Sequence, residues 1–283
     1  MTEPTPESAP EIDRHYGKGG LLERLLAALA TAGKDVDHLT IDDLALVDEF
    51  HSRRRLATVE LAQLLAPARG ARVLDVGAGL GGPARYLAQT YGCRVSGVDA
   101  TAEFVAVARE LARRTGLADR VDYRHAAAPL LPFPDASFDL AWTQNVAMNI
   151  ADRPRFYAEL HRVLKPGGRL ALQDVCQGAG GDVVYPVPWA DTPVLSFLRT
   201  PEETRALFAA AGFVEMVWQD NTATSIAEIA AERARAAAAP PGSSPVLGLH
   251  LVMGDSFKAK LANGQRNTLE HRTALINAVL RRG

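Results

Sequence analysis

Cysteine is scarce in this chain. Its two cysteines, Cys93 and Cys176, lie far apart and form no Cys-x-x-Cys pair. Neither a disulfide framework nor a zinc site is expected, and a reducing compartment is the simpler setting. A basic excess is also missing: 31 lysines and arginines against 33 aspartates and glutamates leave a net charge of −2. That balance argues against a nucleic-acid partner, because such proteins carry positive charge to neutralise phosphates. No apolar run approaches ~18 residues, so no membrane-spanning helix is expected. No basic-then-apolar leader opens the chain, and residues 1–20, starting MTEPTPESAPE, read as an acidic, proline-rich disordered tail. These absences predict a cytoplasmic protein with no nucleic-acid, membrane or metal partner.

What is present is an ordinary apolar fraction, 47% of 283 residues, enough for one large core with an elaborated cap. The chain is organised around RVLDVGAGLGGPARYLA, residues 72–88. An apolar run enters Asp75, a loop with Gly77, Gly79, Gly81 and Gly82 follows, and a helical pattern begins at once. Strand, glycine turn and helix open a nucleotide-binding α/β unit, in which glycines permit a tight turn and close approach of the backbone to a ligand. Gly77, Gly79 and Gly82 also satisfy the GxGxxG dinucleotide pattern, so the loop alone does not choose the nucleotide.

Before this unit, LLERLLAALATA (residues 21–32) suits a helix ended by Gly33, and a second helical region is expected from 42 to 65. Residues 21–66 therefore read as a helical cap. Arg53, Arg54 and Arg55 inside it read as a solvated face. From 67 to 221 short strands alternate with helices, the signature of a parallel sheet covered on both faces. Strands are expected at 72–76, through CRVSGVD to Asp99, at 120–125, in SFDLAWTQ, in RLALQDV after a KPGG turn, and in FVEMVWQD. Thr101 is the expected N-cap of the helix after strand two, and Thr200 of the helix PEETRALFAA. Residues 222–270 break the rhythm with an alanine-rich helix, a PPGSSP linker and short helical pieces, and read as a lid insertion. ALINAVLRR, within 271–283, reads as a strand returning to the sheet.

Two acidic residues bear on the ligand. Asp75 at the mouth of the loop would repel a pyrophosphate and suits an ammonium group. Asp99, 22 residues after Gly77 and at the end of strand two, can accept both hydroxyls of a ribose, a device that dinucleotide enzymes share.

LPFPDASFDLAWTQN and RVLKPGGRLALQD, taken with the glycine loop, resemble the class I S-adenosylmethionine-dependent methyltransferases. The likeness is to the small-molecule (type 11) group, which includes ubiquinone-pathway, tocopherol, sarcosine/dimethylglycine and natural-product sugar enzymes. It is close over residues 72–175 and looser over DEFHSRRRLAT, YPVPWA and LGLHLVMG. The resemblance implies a Rossmann-like, doubly wound α/β fold of seven strands with the last antiparallel, carrying helical cap segments. It implies S-adenosylmethionine as cofactor and S-adenosylhomocysteine as product. Gly77, Gly79 and Gly81 would line the methionine and ribose side, Asp75 would face the ammonium, Asp99 would hold the ribose, and Ala100 would lie beside the adenine. The family's Gly-Asp-Ala triplet after strand three is Ala126-Ala127-Ala128 here, so backbone near Ala127 and apolar packing would hold the adenine. Gln144 matches a position that contacts the methionine moiety.

Methyl transfer from a sulfonium is an in-line displacement, so positioning is the main task and can supply up to ~7–11 kcal/mol. A base is needed only where the nucleophile must lose a proton. The histidine that hydroxyl-methylating relatives often carry after strand four is missing, for the chain reads Val146-Ala147-Met148-Asn149. Asp174, at the end of strand five, and His51, in the cap, are the candidate catalytic groups. Tyr16, Met148, Asn149, Trp189 and His250 are candidate walls of the acceptor pocket. The expected function is N- or O-methylation of a small molecule by proximity and desolvation; a catalytically silent cofactor-binding protein is the alternative. An NAD-dependent dehydrogenase is disfavoured, since no Tyr-x-x-x-Lys pair is evident.

Overall fold

A computed structural model describes residues 16–17, 19–238 and 246–283. The expected tail at 1–20 lies outside the described residues apart from 16, 17, 19 and 20, and so does the PPGSSP linker.

The helices α1 (Leu21–Thr31), α2 (Ile41–Leu44) and α3 (Arg54–Leu65) come first. The α/β unit follows: β1 (Arg72–Val76), α4 (Gly82–Tyr91), β2 (Arg94–Asp99), α5 (Ala102–Arg114), β3 (Val121–His125), β4 (Phe138–Gln144), α6 (Arg153–Val163), β5 (Leu164–Gln177), α7 (Pro201–Ala210) and β6 (Phe213–Asp220). Then come α8 (Thr222–Ala238), α9 (His250–Met253), α10 (Phe257–Leu269) and the last strand, β7 (Thr273–Arg282).

The seven strands form one sheet in the order β3-β2-β1-β4-β5-β7-β6. β7 runs antiparallel to β5 and β6, as expected, while the pairs among β1 to β5 are parallel. Alternate residues of β1 serve opposite faces, because successive side chains on a strand point to opposite sides. Val73 packs with Leu61, Leu65, Leu87 and Ala108 on one face. Leu74 and Val76 pack with Phe156, Leu160 and Phe208 on the other. A third core joins the two ends of the chain: Leu21, Leu25 and Leu29, four apart on one stripe of α1, meet Phe104 and Leu111 of α5, Val252 of α9 and Leu247 just before it. The cap segment therefore packs on both the sheet unit and the segment after β6. Among the described residues no helix is long and apolar enough to cross a membrane.

Several sequence expectations need correction. The helical region at 42–65 is not continuous. Thr40 and Asp43 close a capping box that starts α2, and α3 begins only at Arg54, leaving an irregular segment at 45–53. Arg53 and Arg54 hold positive φ values of 64° and 48°, which interrupts the helix. The arginine run is not a solvated face. The Arg53 side chain is 3% exposed and makes bidentate pairs with Glu60 of α3 and Glu228 of α8, at 2.6–2.9 Å. Arg55 binds the buried Glu49 at 2.5 Å. At the start of α5 the Thr101 side chain forms no cap; the Asp99 carboxylate accepts the Thr101 N–H at 2.8 Å instead. Thr200 does form its expected capping box with Glu203. β5 begins at Leu164, where it pairs with Phe138 of β4, and the register then shifts across KPGG, where Gly167 has a positive φ of 73°.

Candidate active site

A cavity of ≈ 560 Å³ opens at the carboxyl ends of β1, β2 and β4, where parallel sheets of this kind bind ligands. Its floor comes from Asp75–Leu80, Val98–Thr101, Ala126–Pro129, Gln144–Val146 and Met148–Ile150. Its other walls come from the 45–56 segment and from α8 and α10.

The glycines of the loop have separate tasks. Gly77 lines the cavity at φ 74°, and a Cβ there would lie 2.2 Å from Val146 Cγ2. Gly79 also lines it, at φ 54°, and a Cβ there would meet nothing within 4 Å, so its Cα looks into open space. That is the cradle a ligand backbone contact needs.

Asp75 is 2% exposed, and its Oδ2 has no hydrogen-bond partner. Burial, followed by the negative charges of Asp99 and Glu49, pushes its carboxyl from 3.8 up to about 8. An unpaired buried carboxyl that lines a cavity is a receptor for positive charge. Asp99 is held in place: Oδ2 accepts the Gly79 N–H and Oδ1 the Thr101 N–H, each at 2.8 Å. Each oxygen keeps a lone pair for a ligand hydroxyl. Burial raises its pKa, opposed by those two N–H groups. Ala100, Ala126, Ala127 and Ala128 line the adjoining wall.

The other half of the cavity has Trp189, Ile229, Leu249, Met253, Phe257 and Leu261 among its walls, with Glu228, Glu232 and Arg235 of α8 beside them. His51 and Gln144 face it from the 45–53 segment and the end of β4. His51 Nε2 lies 2.8 Å from Glu49 Oε2. Gln144 Oε1 accepts the Trp142 indole N–H at 2.9 Å, and its Nε2 lies 3.4 Å from His51 Nδ1.

Residues 74–172 match the methyltransferase domain family of type 11. The chain is 38% identical over 179 residues to methyltransferase GfsG of Streptomyces halstedii, covering 62% of each chain. It is 32% identical over 197 residues to a sarcosine/dimethylglycine N-methyltransferase of Halorhodospira halochloris, covering 69% of this chain and 70% of that one. The match thus spans about three fifths of the length of the first relative and more of the second. The chain belongs to the S-adenosylmethionine-dependent methyltransferases. Among solved structures it superposes on the [4+2]-cyclase SpnF with a TM-score of 0.67 at 25% identity, covering 99% of this chain and 98% of that one.

In this methyltransferase chain, Asp75, Gly77, Gly79, Asp99, Ala100, Ala127 and Gln144 all come together on the cavity wall. Gly81 does not join them. Its positive φ of 80° starts α4, and a Cβ there would lie 2.2 Å from the Tyr123 hydroxyl, so it is a packing glycine. Of the candidate catalytic groups, His51 lines the cavity and Asp174 does not. Asp174 is 3% exposed and pairs with Arg153 Nη1 at 3.3 Å on the opposite face of the sheet from Gln173. Burial raises its carboxyl to about 6, against the Arg153 charge. Its geometry is that of a structural ion pair.

Tyr16, Met148, Asn149 and Trp189 line the cavity. His250 stands outside it, with its ring against Phe257 at a centroid distance of 5.9 Å, while its neighbours Leu249 and Met253 face in. The Asn149 amide is fully engaged: Nδ2 donates to the Trp189 and Leu195 carbonyls at 2.9 and 2.7 Å, and Oδ1 accepts the Tyr16 hydroxyl at 3.3 Å. It fastens the 189–195 loop over the site.

Sequence reasoning missed Glu49, Ser52, Asn145 and the faces of α8 and α10. The capping box at Thr40–Asp43 is a local signal of where the first helix of that region starts, not of where it stops.

Proposed function

We propose that this protein transfers the methyl group of S-adenosylmethionine to a small, largely apolar acceptor held between the sheet edge and helices α8 and α10. The observation that carries this reading is Asp75: a buried carboxyl with an unpartnered oxygen on the wall of the cavity that Gly79, whose Cα faces open space, also lines. Those residues fit the cofactor's amino-acid end. Asp75 would receive its ammonium, the Gly77–Gly79 backbone its methionine and ribose side, and Asp99 its ribose hydroxyls. Ala100 and Ala127 offer the adenine an apolar wall without a carboxylate.

When bound, the cofactor supplies a methyl group already activated by a sulfonium. The chain's own work is then positioning and exclusion of water. The apolar side chains Trp189, Ile229, Met253, Phe257 and Leu261 desolvate the acceptor, and the 189–195 loop, fastened by Asn149, limits its approach. The segments 21–66 and 222–270 act as cap and lid over the core 67–221, joined by the Arg53–Glu228 pair, and the setting is cytoplasmic.

The likeness to the [4+2]-cyclase SpnF supports a second reading, in which this chain binds the cofactor without transferring its methyl group. Titration calorimetry with S-adenosylhomocysteine and with NAD tests the shared premise. Binding of the first alone is expected, and its failure would overturn both readings. Release of labelled methyl to a panel of apolar amines and alcohols then separates catalyst from silent binder.

A further inference from the structure

Within the proposed methyl transfer, on which this inference rests, we infer that Leu46 and Leu56 form an apolar lip at the mouth of the cavity. The acceptor is then a neutral molecule long enough to reach it. Its reacting end lies in the enclosed part, and its outer part lies on the two leucines, which select for length.

Six large apolar side chains stand exposed among the described residues, with Leu46 at 49% and Leu56 at 60%. Exposed apolar residues scattered singly need no explanation. These two are set apart because both line the cavity, on its cap side. Val214 and Met216, by contrast, belong to the outer strand β6 and line no part of it.

The cap already has its inward positions filled. Leu44 and Val47, on either side of Leu46, are fully buried. α3 buries Ala57, Leu61 and Leu65, four apart, and Leu56 stands outside that stripe, about 100° before it. The backbone under both leucines is also fixed. Two residues after Leu46, the buried Asp48 carboxylate accepts Arg85 Nη2–H of α4 at 2.7 Å. Next to Leu56, Arg55 holds the buried Glu49, and Arg53 holds Glu60 at 2.6 and 2.8 Å. A segment pinned by such pairs does not turn its leucines inward, because breaking a pair leaves a buried charge unmatched. The lip is therefore formed before a ligand arrives, and covering it needs no rearrangement.

The same ion pairs place it. Arg53 joins Glu60, one turn along α3 from Leu56, to Glu228 of α8, and Arg54 Nη2 lies 4.0 Å from Glu232 Oε1. The Arg54, Glu60 and Glu232 side chains are 35–47% exposed, so this junction of cap and lid faces solvent. Met253 and Trp189, at 5% and 6%, lie at the inner wall. An acceptor whose reacting end sits by Trp189 and Met253 and whose other end reaches solvent thus passes over the leucines.

Charge at the rim is spent internally. Arg53 and Arg54 face Glu60, Glu228 and Glu232, and Arg235 stands on α8 three residues from Glu232. Three guanidinium groups against three carboxylates give an ionised ligand no preference, whereas the leucines favour an apolar one.

Three neutral alcohols tested on the full chain decide this: 1-hexanol, 1-dodecanol and phytol, with 6, 12 and 20 carbons. Binding is read by tryptophan fluorescence, since Trp189 lines the cavity, with and without S-adenosylhomocysteine. Wild type should bind more tightly as length grows, phytol most tightly. In Leu46→Ser/Leu56→Ser, phytol should weaken by roughly 10- to 100-fold, the loss of two half-covered leucine side chains, and hexanol by less than about twofold. For any alcohol that is methylated, the loss should fall on KM and leave kcat unchanged, because the lip holds ground state and transition state alike. An unchanged melting temperature verifies the fold of the variant, and Val214→Ser/Met216→Ser should leave phytol binding in place.

Phytol binding that survives in the double variant, that is no tighter than hexanol binding, or that falls as far in the β6 variant overturns the assignment. So does a wild type that binds none of the three. A dimer in sedimentation that the double variant turns into a monomer places a second copy on the leucines. Flotation with phosphatidylcholine vesicles that the double variant loses places a lipid surface there. Either result overturns the inference. S-adenosylhomocysteine affinity should match in wild type and double variant, and a parallel loss makes the leucines part of the cofactor site instead. A wild type that does not bind S-adenosylhomocysteine sinks the cofactor reading, while the alcohol series without it still decides the lip.

Discussion

Replacing Asp75 by asparagine should make the ligand-free protein more stable and the cofactor weaker, and both effects should depend on pH in a defined way. The carboxyl ionises at 3.8 in the ordinary case and at about 8 here, so the folded protein holds a proton that the unfolded chain has released. A raised acid of this kind leaves stability intact below the unfolded value and removes it as pH rises toward the folded one. The cost is about 1.4 kcal/mol per pH unit, which from 3.8 to pH 7 reaches at most ~4 kcal/mol. Asparagine has the same shape and no ionisation to suppress. For a chain of this size each kcal/mol moves Tm by roughly 2–4 °C, so a gain of up to ~16 °C is expected at pH 7 without cofactor. The gap between variant and wild type should vanish near pH 4, open up to about pH 8, and widen no further. Affinity moves the other way. Loss of a charged hydrogen-bond partner, at about 1.5–3 kcal/mol, should weaken S-adenosylhomocysteine by roughly 10- to 100-fold. Wild-type affinity should climb between pH 6 and 8 with proton release on binding, and the variant's should stay flat. Thermal scans at four pH values with paired calorimetry read all of this. A variant Tm at or below wild type across that range, or an unchanged affinity, would refute the placement of a cation at Asp75.

Asp99→Ala removes the acceptor of two backbone N–H groups, Gly79 and Thr101, along with the proposed ribose contacts, so calorimetry should show cofactor affinity falling by at least about 100-fold, with stability lower by ~1–3 kcal/mol in urea melts. Gly77→Ala places a Cβ 2.2 Å from Val146 Cγ2 at a positive φ. It should cost roughly 1–3 kcal/mol, partly recovered by Val146→Ala in the double variant. Asp174→Asn breaks a buried pair with Arg153 and should lower stability by about 3–5 kcal/mol in denaturant melts, while methyl release per folded molecule stays at the wild-type level.

The cofactor half of the site was legible because it is built from neighbours in sequence. A strand, a glycine turn and a helix start lie within residues 72–88, and Asp99 ends the adjoining strand, so spacing alone brings Asp75, Gly77, Gly79 and Asp99 to one sheet edge. The loop's sequence does not say which glycine faces the ligand. Gly79 and Gly81 are equivalent in the motif, and what separates them is the hydroxyl of Tyr123, on a strand two positions away in the sheet. The acceptor half was less legible for the same reason on a larger scale. Nothing local to DEFHSRRR stops a helix, for its break rests on Arg53 and Arg54, and Arg53 is held by Glu228, 175 residues later. Nor does local sequence rank His51 above Asp174. One is selected by Thr58 and Gln144, 86 residues apart, which enclose it at the cavity wall; the other is removed by Arg153, which pairs it inside the opposite core. A donor-binding loop is thus a property of one segment. A wall of the cavity that joins Arg53 to Glu228 is a property of the packed chain, and no segment carries it alone.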